Sequence, residues 1–113
     1  MRETYVPERG DVIWLSFSPQ AGREQSGRRP GVVLSPARYN RRIGLALTCP
    51  VTSRVKGYPF EVALDGVGSV SGVILVDQLR SLDWRARQAE PAGRAPQDVL
   101  AEVLARLQPL LGP

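Results

Sequence analysis

Short apolar runs with alternating inward and outward residues, each cut off by proline, glycine or asparagine, leave this chain little choice but a small curled β-sheet. The run 12–17 (V-I-W-L-S-F) sets Val12, Trp14 and Ser16 on one face and Ile13, Leu15 and Phe17 on the other, after the turn signal Glu8-Arg9-Gly10-Asp11. Pro19 and Gly22 end it. A second strand is predicted over 31–35, bounded by Pro30 and Pro36, then a polar exposed turn over 38–42 in which Asn40 suits left-handed geometry. Further strands are expected over 45–52, 59–64 (with Asp65-Gly66 as a turn) and 72–76, and a short sixth over 79–82. Only the end of the chain reads as a helix. Pro96 takes the first helical position, and Leu100, Val103, Leu104, Leu107, Leu110 and Leu111 recur at helical spacing, with Pro109 a point of early kinking or ending. The expected fold is mainly β with a C-terminal α-helix, a small SH3-like antiparallel barrel with the helix lying over one opening or face.

At 113 residues the chain has room for one domain, 1–113, with a modest core. Its 42% hydrophobic and 23% charged content excludes wholesale disorder and a membrane class, and the N-terminus lacks an apolar signal core, so the cytoplasm is the expected location. A lone cysteine, Cys49, excludes an internal disulfide and is expected to be a small buried apolar residue. Charge is uneven. Residues 1–60 hold ten Lys and Arg against four acidic residues, and residues 61–113 hold five against seven, so a polyanion would meet the first half.

The stretch 22–30, G-R-E-Q-S-G-R-R-P, places Glu24, Gln25, Arg28 and Arg29 on a glycine-hinged loop between two strands, a carboxylate and two guanidiniums able to converge on a phosphodiester. The chain has no histidine, so proton transfer near neutral pH falls to Glu, Arg, Thr, Tyr or the substrate itself. Trp14 reads as a core or rim aromatic, and Asp11 and Glu61 as structural hydrogen-bonders. Trp84 has three open roles: packing under the helix, stacking on a base, or receiving a partner's side chain.

Taken in order, Gly10-Asp11-Val12-Ile13-Trp14, Glu24-Gln25, Gly27, Arg29-Pro30, Tyr39-Asn40, Pro50-Val51-Thr52, Lys56-Gly57-Tyr58-Pro59-Phe60-Glu61-Val62, Asp77-Gln78 and Trp84-Arg85-Ala86-Arg87 resemble the MazF/PemK family of toxin endoribonucleases from toxin-antitoxin modules. The resemblance covers nearly the whole chain. It implies a homodimer of SH3-like barrels that cleaves single-stranded RNA, messenger RNA above all, with no metal or other cofactor, and that a cognate MazE-like antitoxin silences. It places the catalytic positions on Arg29, Thr52 and Glu24, and RNA contacts on Gln25, Arg28, Arg54, Lys56, Gln78 and Arg85. Ser16 and Ser18 stand where many members carry an acidic residue, and Arg28, Arg54, Arg41 and Arg42 stand where members vary.

The chemistry expected from these residue types follows from the substrate, whose ribose 2′-hydroxyl is its own nucleophile. Arg29 is suited to neutralise charge on the phosphoryl oxygens, Thr52 to hydrogen-bond them, and Glu24 to act as a base if burial raises its pKa. Two other classes stay open: a non-catalytic toxin on the same barrel that poisons a topoisomerase through its C-terminal helix, and a module that binds RNA without cutting it.

Overall fold

The structure is a computed structural model that describes residues 5–17 and 27–112. Seven strands, β1 (Asp11–Ser16), β2 (Arg28–Val33), β3 (Ala46–Thr52), β4 (Glu61–Val67), β5 (Val70–Leu75), β6 (Arg80–Leu82) and β7 (Glu90–Arg94), form one antiparallel sheet. Their spatial order is β4-β5-β3-β2-β1-β7, with β6 branching from β3. Among the described residues there are also two α-helices, α1 (Ala37–Ile43) and α2 (Gln97–Leu111).

The sheet curls until its outer strands meet. A Cβ on Gly68, just after β4, would lie 2.6 Å from the carbonyl oxygen of Ala92 in β7, so the seam is closed by packing rather than by ladder bonds. Both faces are buried, which the alternation of β1 anticipates. Val12 joins a core with Val32, Cys49, Val51, Leu64 and Ile74, and α2 covers it through Val103 and Leu107. Ile13 and Leu15 point the other way, into a second cluster with Val33, Ala46, Leu82 and Trp84. The bland reading of Cys49 holds: it is fully buried, and burial pushes its thiol up to about 12.

Four expectations are corrected. Residues 38–42 are helical, not a turn, because Asn40 is drawn inside. Its amide donates to the Pro7 and Ser35 carbonyls (2.8 and 3.0 Å) and its oxygen accepts the Ser35 hydroxyl, contacts that outweigh its turn preference; Gly44 takes the left-handed position at φ 84°. Asp65 and Gly66 lie within β4, where the ladder with β5 shifts register. Pro96 caps α2 rather than opening it, and the helix runs through Pro109 to Leu111. Finally, β7 has no sequence signature, since Pro91 and Gly93 interrupt it; both are tolerated because β7 is an edge strand.

Candidate functional site

The register of three strands builds the site. Gly31 pairs with both Ile13 and Pro50, and Arg29 pairs with Leu15, so these residues share one face of the sheet. Pro50 has no N–H, and the β2–β3 ladder ends there. Continued two residues along the same register, it sets Arg29 across from Thr52, the first near the start of β2 and the second at the end of β3. Beyond that point β3 turns to a new partner. Its first part, Ala46 to Thr48, pairs with β6, and Val51 and Thr52 pair with β5. A 3-10 turn, Val76–Gln78, spans the fork.

The fork holds a cavity of about 590 Å³ lined by Arg29, Thr52, Ser53, Gln78 and Arg80 over an apolar base that includes Leu15 and Pro50. Thr52 is fixed from two sides. Its hydroxyl oxygen accepts the Arg54 N–H at 3.1 Å, which leaves the hydroxyl proton free to turn toward a ligand. Behind it, Gly72 of β5 packs so close that a Cβ would lie 2.1 Å from the Thr52 carbonyl oxygen, and φ there is 141°, so only glycine fits. Arg29 is exposed, its guanidinium 5.8 Å from the centre of the Phe17 ring.

The remaining sequence-predicted residues are distributed unevenly. Glu24 and Gln25 lie outside the described residues. Gln78 lines the cavity beside Arg29 and Thr52. Arg54 and Lys56 are exposed on the 53–60 loop that leaves Thr52, and Glu61 clasps that loop by accepting the Lys56 and Gly57 N–H groups at 2.9 and 2.8 Å. Arg28 and Arg29 belong to β2, not to the preceding loop, and strand alternation sends their side chains apart. Arg28 spends its donors within the protein, on the Ser16 hydroxyl, the Trp14 and Gln88 carbonyls and the Glu90 carboxylate (3.0 Å). Arg85 stacks on Trp84 with its guanidinium carbon 4.4 Å from the ring centre and does not line the cavity. Trp84 itself packs on the sheet face opposite α2, with its indole N–H bonded to the Asn40 carbonyl at 3.0 Å, which closes the three roles left open for it in favour of a core residue.

Two further arginines stand at the site: Arg80, which went unnoticed in the sequence, and Arg87, which enters there only within the motif Trp84-Arg85-Ala86-Arg87 and with no role. Arg80 opposes Thr48 at the head of β6 and faces the cavity, and the guanidinium carbon of Arg87 lies 4.5 Å from the centre of the Phe17 ring, the same aromatic that Arg29 approaches. The only sequence signal for Arg80 is its place two residues before the buried Leu82, readable once β6 is assigned. A second cavity, about 530 Å³, shares Arg80 and Leu82 with the first and is lined also by Arg87 and Asp83. Among the described residues no three His, Cys, Asp or Glu side chains cluster as metal ligands, and no helix is long and apolar enough to cross a membrane.

The sequence and the fold have counterparts among known proteins. Residues 8–111 match the model of a family described as PemK-like, MazF-like toxin of type II toxin-antitoxin system. The chain is 46% identical over 112 residues to the endoribonuclease toxin MazF of Escherichia coli K12, an alignment covering 99% of this chain and 100% of the relative. It is 42% identical over 110 residues to the endoribonuclease PemK of Escherichia coli, covering 92% of this chain and 81% of the relative. Among solved structures, a MazE-MazF crystal structure from Deinococcus radiodurans superposes with a TM-score of 0.87 at 60% identity, covering 95% of this chain and 97% of that one.

Proposed function

Because the chain belongs to the PemK-like, MazF-like toxin family of type II toxin-antitoxin systems, we propose that it is a sequence-specific, ribosome-independent endoribonuclease that cuts single-stranded messenger RNA in the cytoplasm and so halts translation and growth. The single observation that carries this reading is the convergence of Arg29 and Thr52 on one cavity, brought there by a shared ladder register.

In this reading the scissile phosphate sits between the two side chains. The 2′-hydroxyl of the preceding ribose attacks phosphorus in line with the departing 5′-oxygen. Arg29 donates to the non-bridging oxygens, whose charge grows in the transition state, and its guanidinium is already in place through β2 and Phe17. The Thr52 hydroxyl, with its oxygen engaged by the Arg54 N–H, donates to the same phosphate. Glu24 takes the 2′-hydroxyl proton. The new P–O2′ bond replaces the P–O5′ bond, water protonates the departing 5′-oxygen, and the products carry a 2′,3′-cyclic phosphate and a 5′-hydroxyl. Gln78, Arg54 and Lys56 hold the flanking nucleotides. The protein supplies all the charge stabilisation this scheme needs, so no metal enters it.

A homodimer is the proposed assembly, and an acidic, partly disordered antitoxin segment the proposed inhibitor, filling the cavity and competing with RNA for its arginines. The test is incubation with a long mixed RNA followed by sequencing of the new 5′-hydroxyl ends. Cuts at one short motif, unaffected by EDTA and carrying cyclic phosphate on the other side, are expected; 5′-phosphate ends, or cutting that requires added Mg²⁺, would overturn the scheme.

A further inference from the structure

The structure assigns a positioning role to Tyr58 and Asp77: their hydrogen bond latches the loop that bears Arg54 and Lys56 onto the turn that bears Gln78, and so sets where the loop's cations stand relative to the cavity. The inference rests on the reading of that cavity as an RNA site.

The 53–60 loop is pinned to the strands on either side of it, at Arg54 by Thr52 and at Lys56 and Gly57 by Glu61. Arg106 of α2 donates to the Pro59 carbonyl. These contacts shape the loop but tie it only to those strands and to α2. The Phe60 carbonyl accepts the Val76 N–H at 2.9 Å, which brings the loop's base alongside the 3-10 turn. One side chain carries that attachment outward. The Tyr58 hydroxyl donates to Asp77 Oδ1 at 2.7 Å, and no other side-chain hydrogen bond among the described residues joins the loop to the turn.

Asp77 precedes Gln78, which lines the cavity, and Tyr58 follows Lys56 by two residues. The bond therefore couples a cavity-lining residue to the cationic loop. It also engages one oxygen of an exposed carboxylate that stands one residue from the cavity lining. The donor stays a donor: the bond to Asp77 raises the phenol above its ordinary pKa, so it is protonated throughout the neutral range.

Tyr58→Phe is a clean probe, since it removes one hydroxyl and keeps the ring whose edge meets Phe60 at 6.4 Å between centroids. Loss of one exposed hydrogen bond is expected to raise KM for a cleavable RNA about 2- to 10-fold, with kcat changed less and the melting temperature unmoved. Asp77→Ala should match it. Asp77→Asn, which keeps an acceptor oxygen, should retain most of the wild-type KM, and the Tyr58→Phe/Asp77→Ala double variant should be no worse than either single change. In parallel, amide exchange at Lys56 and Gly57 should quicken in Tyr58→Phe, a readout that needs no RNA. Unchanged KM and unchanged exchange would overturn the latch, as would a double variant whose losses multiply or an Asp77→Asn protein as impaired as Asp77→Ala. If the wild-type protein cuts no RNA while the exchange rates still respond, the functional reading fails and the latch stands.

Discussion

One face of the sheet is closed at one end and open at the other. At the closed end Trp84, 2% exposed, lies with Ile13, Val33, Ala46 and Leu82 under the segment that follows β6. At the open end the same strands present Arg29, Thr52 and Arg80 around a cavity. The closed end is held by packing, where each side chain is fixed because its neighbours fill the space around it. The open end is held by backbone: a ladder that stops at Pro50, a glycine that lets β5 press on Thr52, and an amide that turns the Thr52 hydroxyl. Such a division lets exposed polar groups be well placed without being buried, and it predicts that stability and activity can be damaged separately.

Trp84→Ala tests the closed end. Emptying that site should cost about 3–5 kcal/mol in denaturant unfolding, with the folded fraction retaining its kcat. Arg29→Ala tests the open end and should do the reverse, lowering kcat about 10²- to 10³-fold with an unchanged unfolding midpoint. A large loss of stability in the second variant, or of kcat in the first, would erase the distinction. Gly72→Ala sharpens it by striking the backbone that supports the open end, because the added Cβ would overlap the Thr52 carbonyl. A fall in stability of about 1–3 kcal/mol accompanied by a fall in kcat is expected, measured on the same preparation.

The smallest effect belongs to Glu8, whose side chain is part of neither end. Glu8 accepts the N–H groups of Ala37 and Arg9, both at 2.8 Å, and these bonds hold its carboxyl below the ordinary range. Its folded pKa is depressed, so its contribution is present above the unfolded value and is lost as pH falls through the folded one. Stability should therefore decline less steeply on acidification below about pH 4.5 in Glu8→Gln than in the wild type, as read from unfolding curves at several pH values. Activity at neutral pH should not change.

The packed cores on the two sheet faces, Trp84 apart, were largely legible in the sequence. The period of two in 12–17 assigned Ile13 and Leu15 to a face of their own, and the apolar stripe of 100–111 marked α2 as a cover. Where local preference and tertiary contact disagreed, the contact won: Asn40 is a turn former by habit and a buried helical residue here, because Pro7, Ser35 and Trp84 surround it with partners. The open end was legible by residue type but not by geometry. Motif reading picked out Arg29, Thr52 and Gln78, which meet, together with Arg28 and Arg85, which turn elsewhere. Only strand register separates Arg28 from Arg29, and register is set by pairings such as Gly31 with Pro50 that no local pattern announces. Arg80 escaped notice for the same reason.

In the proposed reaction the guanidinium of Arg29 and the hydroxyl of Thr52 act on one phosphate as a unit. Single-turnover cleavage of one RNA by Arg29→Ala, Thr52→Val and the double variant measures this directly. The account predicts that the double variant is barely slower than Arg29→Ala alone, since removing one partner already disables the pair. Losses that multiply, each change costing the same in the presence and absence of the other, would contradict it.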